Sequence, residues 1–376
     1  MSEFAAGPAG RIERVRALMV ERGYDAIVVR DEANLRWLTG VKGVFDYTFE
    51  FPHAAFITAD QCLFHTDSRY LNSFEENTSA GSPWVYDMDE VTIPGWVAGK
   101  IAANKCRVCA VEDDMQINFY QGIQRGLEDR SVACMLPLMH DDIRKMRAIK
   151  DAEEIELMRH AQSITDAAFQ HMLGYIKPGM TEKQVRNELE NFMFANGADS
   201  LAFGSIVASG PNTANPHAVP SDRVIEKGDF VLMDYGAGYC DYRSDMTRTV
   251  VMGEPTQEQL DLYALVRRAH EECVAAIHPG VEGNDIFKLS KKIIGDAGYG
   301  DYYNHGLGHG VGIDIHELPN FNRSKNIIEV GSVITMEPGV YLPGVGGVRL
   351  EDYGVVTENG YEPFTKTPHD LHVIDC

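Results

Sequence analysis

Apolar residues recur at helical spacing over 10–23, where Ile12, Val15, Leu18 and Met19 share one face of an amphipathic helix. DAIVVR over 25–30 then predicts a short strand, and ANLRWLTG over 33–40 a helical turn ended by Gly40. Ala54–Thr58 and Cys62–His65 predict a strand pair around a polar turn, 108–111 another strand and 117–127 another helix. This order implies a smaller N-terminal α/β domain over 1–138. Within it, Phe45, Tyr47, Phe49 and Phe51 fall on one side of an extended segment, the pattern of a core or interface face.

From Asp141 the pattern changes. DDIRKMRAIKDAEEIELMRHAQSITDAAFQHML reads as one long helix, charged early and apolar later, ending near Gly174. A second helix follows in IKPGMTEKQVRNELENFMFANG, with Thr181 and Gln184 spaced as a capping box and Gly197 as a stop. A second domain, α+β in class, therefore spans 139–376.

That domain repeats itself. IKPGMTEKQV (176–185) is echoed by IHPGVEGNDI (277–286), 101 residues on, and GDFVLMDYGAG (228–238) by GSVITMEPGVY (331–341), 103 residues on. The common order and nearly common offset imply two related half-units, each a helix followed by strands. Asp234 in the first half meets Glu337 in the second, both on apolar strands, where an uncompensated carboxylate is costly. Asp245 and Glu351 follow as second members of each pair, at separations that a strand, a turn and a returning strand bring together. Arg243, Arg248 and Arg349 stand nearby as ion-pair partners, the plainer account of any single acid.

The stretch 304–319, NHGLGHGVGIDIHELP, adds His305, His309 and His316 among four glycines, with no lysine or arginine. Glycines admit close backbone approach, and imidazoles bind metals or move protons near neutral pH. Four carboxylates and the nitrogen of His309 suit two divalent ions of hard-to-borderline preference better than a thiolate site does; manganese is the first choice, with cobalt, zinc and iron as alternatives.

Charge excludes more than it identifies. With 56 acidic and 34 basic side chains the net charge is −22, which argues against nucleic acid or an anionic membrane surface as partner. The seven cysteines are scattered, and the CRVC pair Cys106/Cys109 lies in a strand-like run with no second pair to complete a zinc site, so both read as apolar core cysteines. No leader pattern opens the chain and no apolar run is long enough to span a membrane, so a cytoplasmic location is expected.

The motifs MDYGAGYCDYRSDMTRTV, HGLGHGVGIDIHELP, MEPGVY and GVRLEDYGVV, with SGPNTANPHAVPSDR upstream, resemble those of the pita-bread metallopeptidases, in the branch of Xaa-Pro dipeptidase (prolidase) and Xaa-Pro aminopeptidase. NLRWLTG, HTDSRY and RAIKDAEEI are similar to that branch's N-terminal domain and linker helix. The resemblance implies a creatinase/aminopeptidase-like catalytic domain with a pseudo-twofold repeat, and a homodimer. It implies Asp234, Asp245, His309, Glu337 and Glu351 as metal ligands, Asp245 and Glu351 bridging two ions. His217, His305 and His316 match histidines that surround the metals or touch substrate, and Arg349 an arginine beside the last ligand. The implied reaction is hydrolysis of the bond before proline in a di- or oligopeptide, by hydroxide from water shared between the ions, with Glu337 moving the proton. In it, His217 or His316 donates to the oxyanion, His305 orients substrate, and Arg349 clasps a substrate carboxylate or neutralises Glu351 or Asp245. The alternative is a non-peptidase on the same scaffold, a creatinase-like amidinohydrolase or a lyase acting on a small polar molecule; the complete ligand set argues against it.

Overall fold

The computed structural model describes residues 7–42, 52–88, 92–322 and 325–376, which form two compact units, Met1–Arg147 and Ala148–Cys376. The aromatic segment Phe45–Phe51 lies outside the described residues.

The first unit opens with α1 (Gly7–Arg22), β1 (Ala26–Val29) and α2 (Glu32–Thr39). Asp31 caps α2, and Gly40 ends it in the left-handed region. Then come β2 (Ala54–Thr58), β3 (Cys62–His65), α3 (Leu71–Asn77) and β4 (Trp84–Asp87). The unit is completed by α4 (Ile93–Ala103), β5 (Cys109–Val111), α5 (Ile117–Asp129) and α6 (Asp142–Arg147). The five strands make one sheet in the order β4-β3-β2-β1-β5. Apolar faces of α4 and α5 pack on it through Trp96, Ile101, Phe119 and Ile123. Cys106 and Cys109 are buried free thiols in this core, and burial pushes the Cys106 thiol up to about 11.

The long helical pattern from Asp141 is two helices, not one. α6 stops at Arg147, and α7 (Ala152–Tyr175) starts afresh at Asp151. Asp151 and Glu154 form a capping box there, a start signal inside what periodicity alone reads as continuous. Between the helices the backbone of Lys150 donates to Gly331 O, so tertiary pairing takes the bond that a helix needs.

In the second unit α8 (Glu182–Ala195) carries the Thr181/Gln184 capping box expected of it. β6 (Ser200–Leu201), β7 (Ile206–Ser209), β8 (Phe230–Tyr235), β9 (Ala237–Tyr239), β10 (Tyr242–Arg243) and β11 (Met246–Met252) follow. The second half has α9 (Gln257–Ala275), α10 (Gly283–Asp296), β12 (Gly308–Gly310), β13 (Glu317–Phe321) and β14 (Val333–Met336). It continues with β15 (Gly339–Leu342), β16 (Gly346–Arg349), β17 (Asp352–Thr357), β18 (Gly360–Pro363) and β19 (Val373–Ile374).

Each half thus contributes two helices and a long antiparallel ribbon. In the first, β8/β11 and β9/β10 keep one register through an interruption at Gly236, where an added Cβ would meet Ser244 O at 1.9 Å. In the second, β14/β17 and β15/β16 keep one register through an interruption at Pro338, which has no N–H to give. The acids sit at these two breaks, where ladder bonding lapses and side chains can converge.

Candidate active site

Asp234 lies inside β8 opposite Thr247 of β11, and Asp245 immediately precedes β11. The continuing register sets Asp245 opposite Gly236, so the two aspartates are diagonal neighbours on one face. The second ribbon sets Glu337 directly opposite Glu351. Apolar neighbours wall both breaks: Met233 and Met246 in the first half, Met336 and Leu350 in the second, all fully buried.

His309 stands in β12, with its backbone N–H donating to Thr335 Oγ1. Its Nδ1 lies 3.0 Å from Gly310 O, and a carbonyl only accepts, so Nδ1 carries the proton. The lone pair on Nε2 then faces acceptors: Asp245 Oδ2 and Glu337 Oε1, each 3.6 Å away. Asp245, His309 and Glu351 offer ligand atoms within 4.8 Å of one another. Asp234 Oδ1 is buried without a hydrogen-bond partner.

The electrostatics are those of a group short of positive charge. Burial, then Glu351, Asp234 and Glu337, push the Asp245 carboxyl well above the carboxylate range. Burial, then Glu337 and Asp234, do the same to Glu351. Burial brings Glu337 up to about 8 and His309 down to about 4. A carboxylate group facing an imidazole lone pair, all desolvated, fits divalent cations.

Among the described residues Arg349 is the one guanidinium directed at these acids, and it pairs with neither Asp245 nor Glu351. Its Nη2 donates to Asp234 Oδ2 at 2.5 Å, Nε to Thr247 Oγ1, and Nη1 to Pro216 O and Tyr341 OH. Four of its five N–H groups are thereby used inside the chain. Thr247 passes the contact on, donating to Glu351 Oε2 at 2.6 Å. Arg243 is directed elsewhere, to the carbonyls of Ile313, Leu201 and Ala202, and Arg248 binds Asp352.

His305 is satisfied within the protein. Nδ1 donates to Gly306 O at 2.7 Å and Nε2 accepts from Tyr341 OH at 2.9 Å, while burial drives the ring down to about 3. A neutral His305 thus ends a relay running Arg349 to Tyr341 to His305. His316 packs edge-on against His309 with ring centroids 4.3 Å apart. His217 is exposed, on the loop after β7.

All nine residues marked in the sequence line or adjoin a single cavity of about 660 Å³. Apolar side chains line it too: Phe203, Ile206, Ala218, Val219 and Ile315. Sequence reasoning missed Thr247, Tyr341 and Thr335, which hold the charged groups in place. Tyr341 closes the repeated segment 331–341 and Thr247 stands two residues after Asp245, so adjacency to the acids was the available signal.

The model of metallopeptidase family M24 matches residues 156–358, and that of the creatinase/prolidase N-terminal domain matches 11–149. The chain belongs to metallopeptidase family M24, and its catalytic unit has the pita-bread fold. Over 97% of its length it is 37% identical to an uncharacterized peptidase, YqhT, of Bacillus subtilis, covering all of that protein. Its structure is similar to Xaa-Pro dipeptidase from Bacillus anthracis, with a TM-score of 0.89 and 36% identity over 98% of this chain and 100% of that one. It is also similar to X-Pro aminopeptidase from Thermotoga maritima, at TM-score 0.85 and 30% identity over 97% and 100%. The chain is thus a metallopeptidase of the Xaa-Pro dipeptidase-like kind.

Proposed function

We propose that this protein hydrolyses the peptide bond preceding proline, using two divalent metal ions held by Asp234, Asp245, His309, Glu337 and Glu351. The observation that carries the reading is the His309 lone pair turned toward Asp245 and Glu337, an arrangement of acceptors alone that calls for cations between them. When bound, such ions polarise a carbonyl and make water acidic enough to attack it near neutral pH. Manganese fits the oxygen-rich donor set.

The chain's own groups do the rest. Glu337 faces the cavity, takes the proton of the attacking water and returns it to the proline nitrogen as the C–N bond breaks. His217 and His316, on the cavity wall, donate to the carbonyl oxygen as it becomes an oxyanion. Arg349 holds Asp234 in place and keeps one Nη2 hydrogen for a substrate oxygen. His305, tied to Tyr341 and Gly306, orients the substrate through the wall it braces. Phe203 and Ile206, which line the same cavity, offer the apolar surface that suits a proline ring. The active molecule is a cytoplasmic homodimer in this reading; among the described residues no helix is long and apolar enough to cross a membrane.

Hydrolysis of Xaa-Pro dipeptides and Xaa-Pro-Yaa tripeptides, with manganese and with chelator, tests the proposal. Chelator-sensitive cleavage of dipeptides alone marks a dipeptidase, and cleavage of the longer peptides alone an aminopeptidase. Absence of chelator-sensitive cleavage of either rejects the reading in favour of a small-molecule substrate.

A further inference from the structure

Glu182 is a fully buried carboxylate that takes no part in the chemistry above and does not line the cavity. It is the first residue of α8, behind the Thr181 cap. Its side chain turns away from the helix and accepts five hydrogen bonds from one segment of chain. Oε1 accepts from Ser209 N (2.7 Å), Ser209 Oγ (2.8 Å) and Asn212 Nδ2 (3.0 Å). Oε2 accepts from Ser221 N (2.9 Å) and Ser221 Oγ (2.6 Å). Ser209 and Ser221 are the two feet of the loop that carries Pro216 and His217.

All five partners donate, so the position calls for a side chain with two acceptor oxygens and no hydrogen; glutamine offers one oxygen and an NH2 that meets donors head-on. Each serine hydroxyl has its proton committed to Glu182, because each also accepts: Ser209 Oγ from Arg223 Nη1 at 2.7 Å and Ser221 Oγ from Arg223 N at 3.1 Å. The loop's middle is held separately. Gly347 N donates to Thr213 Oγ1 at 2.7 Å, and Arg349 Nη1 reaches Pro216 O at 3.3 Å. One carboxylate therefore closes the base of a loop whose crown lies against the strand bearing Arg349.

We propose that Glu182 is a positioning residue: by clamping Ser209 to Ser221 it fixes the height of His217 over the cavity. The inference rests on the peptidase reading only for the role of His217. The geometry predicts coupling. Loss of the clamp costs turnover through His217, and costs little once His217 is gone.

The experiment is a double-mutant cycle on the manganese-loaded full chain with Glu182→Gln, His217→Ala and the pair. It is read by kcat and KM on an Xaa-Pro peptide, by bound manganese, and by hydrogen exchange of the amides over 210–220. Glu182→Gln is expected to lower kcat by about 10–100-fold, the range for partners that orient a working group, with manganese content unchanged and exchange over 210–220 accelerated. In the His217→Ala background the further loss is expected to be under about twofold, since groups acting through one another are not additive. A purely structural glutamate gives losses that multiply, or a lowered melting point with kcat intact, and either overturns the proposal. Should Glu182→Gln fail to fold, Asn212→Ala and Ser221→Ala each remove one side-chain donor and enter the same cycle. A wild-type protein that cleaves no Xaa-Pro peptide rejects the peptidase reading instead; the clamp is then judged by exchange alone, and unchanged exchange over 210–220 in Glu182→Gln overturns it.

Discussion

Among the described residues of the catalytic unit, adjacent residues at the start of one strand feed two clusters of three side chains, one buried and one with its third member, His369, half-buried. Glu351 joins Asp245 and His309; Asp352 joins His270 and His369. In both, nitrogen and oxygen atoms lie within 4.8 Å of each other. They differ in what the chain supplies. Asp352 receives Arg248 Nη2 on Oδ1 at 2.7 Å and His369 Nε2 on Oδ2 at 2.6 Å. Burial alone raises its carboxyl, but Arg248 and His369 outweigh burial and hold it below the usual range. Arg349 lowers Asp245 and Glu351 as well but hydrogen-bonds to neither, and burial with the neighbouring acids holds both well above that range. A cluster closed by its own arginine is a structural ion pair; one left short of positive charge is the one we propose as the metal site. Residue type does not separate them, and charge balance does.

The sharpest way to break this distinction is to remove one nitrogen from each cluster. His309→Ala is expected to abolish stoichiometric manganese binding and to lower turnover by more than about 100-fold, beyond the range for an orienting partner. His369→Ala is expected to leave both unchanged. Metal analysis of the purified proteins with peptidase assays checks the pair. Manganese lost from His369→Ala would show that the second cluster also holds an ion.

Removing the cation tests the closed cluster from the other side. Arg248→Met leaves Asp352 buried with His369 as its remaining donor, and breaking a buried pair in this way costs about 3–5 kcal/mol. Denaturant unfolding of the metal-loaded protein measures it. A loss under about 1 kcal/mol would mean that His270 and His369 suffice to hold the aspartate.

The open cluster has the opposite pH dependence. Its carboxyls titrate higher folded than unfolded, so the metal-free protein suffers no penalty while both states are protonated. As pH rises from the ordinary 4.5 through about 8 at Glu337, the unfolded chain ionises first and folded stability falls, by roughly a few kcal/mol. Manganese, binding the folded form, should remove most of that fall. Glu351→Gln should raise metal-free stability at pH 8 by removing a carboxyl whose ionisation the folded chain opposes, although it removes a proposed metal ligand. Asp352 runs the other way: its folded carboxyl is depressed, so its contribution is full above about 3.8 and lost as pH falls through its folded value. Thermal melts with and without manganese between pH 5 and 8 show whether the sign for the open cluster is as stated, and melts carried below pH 4 do so for Asp352.

Local signals in the sequence carried the strands at 54–58 and 62–65 and the capping box at Thr181, because alternation and caps depend on neighbours along the chain. They missed the break between α6 and α7, where the capping box at Asp151 sits inside an unbroken helical period. Of the five proposed ligands, Asp234 and Glu337 were legible because the repeat aligned acid with acid, Asp245 and Glu351 by their separation from those two, and His309 by its glycine-rich stretch. Their supports were not. Thr247, Tyr341 and Glu182 matter through partners 104, 8 and 27 residues away, and no spacing rule points to a hydroxyl or a carboxylate that works by what it holds.

Tyr341 gives the smallest expected effect and separates support from chemistry most finely. Its hydroxyl accepts from Arg349 Nη1 and donates to His305 Nε2, both at 2.9 Å, and burial pushes it up to about 12, so it stays a neutral link. Tyr341→Phe keeps the ring and removes the relay. Arg349 retains Asp234, Thr247 and Pro216, and His305 loses one hydrogen bond in a site where burial already keeps it neutral. The loss of a neutral bond to a remaining buried acceptor costs about 1–3 kcal/mol, which sets the expected drop in kcat/KM near tenfold, with manganese content unchanged. A fall as large as that of His309→Ala would place Tyr341 among the groups that meet the substrate. An unchanged rate would show that Arg349 holds Asp234 without help from the Tyr341 hydroxyl.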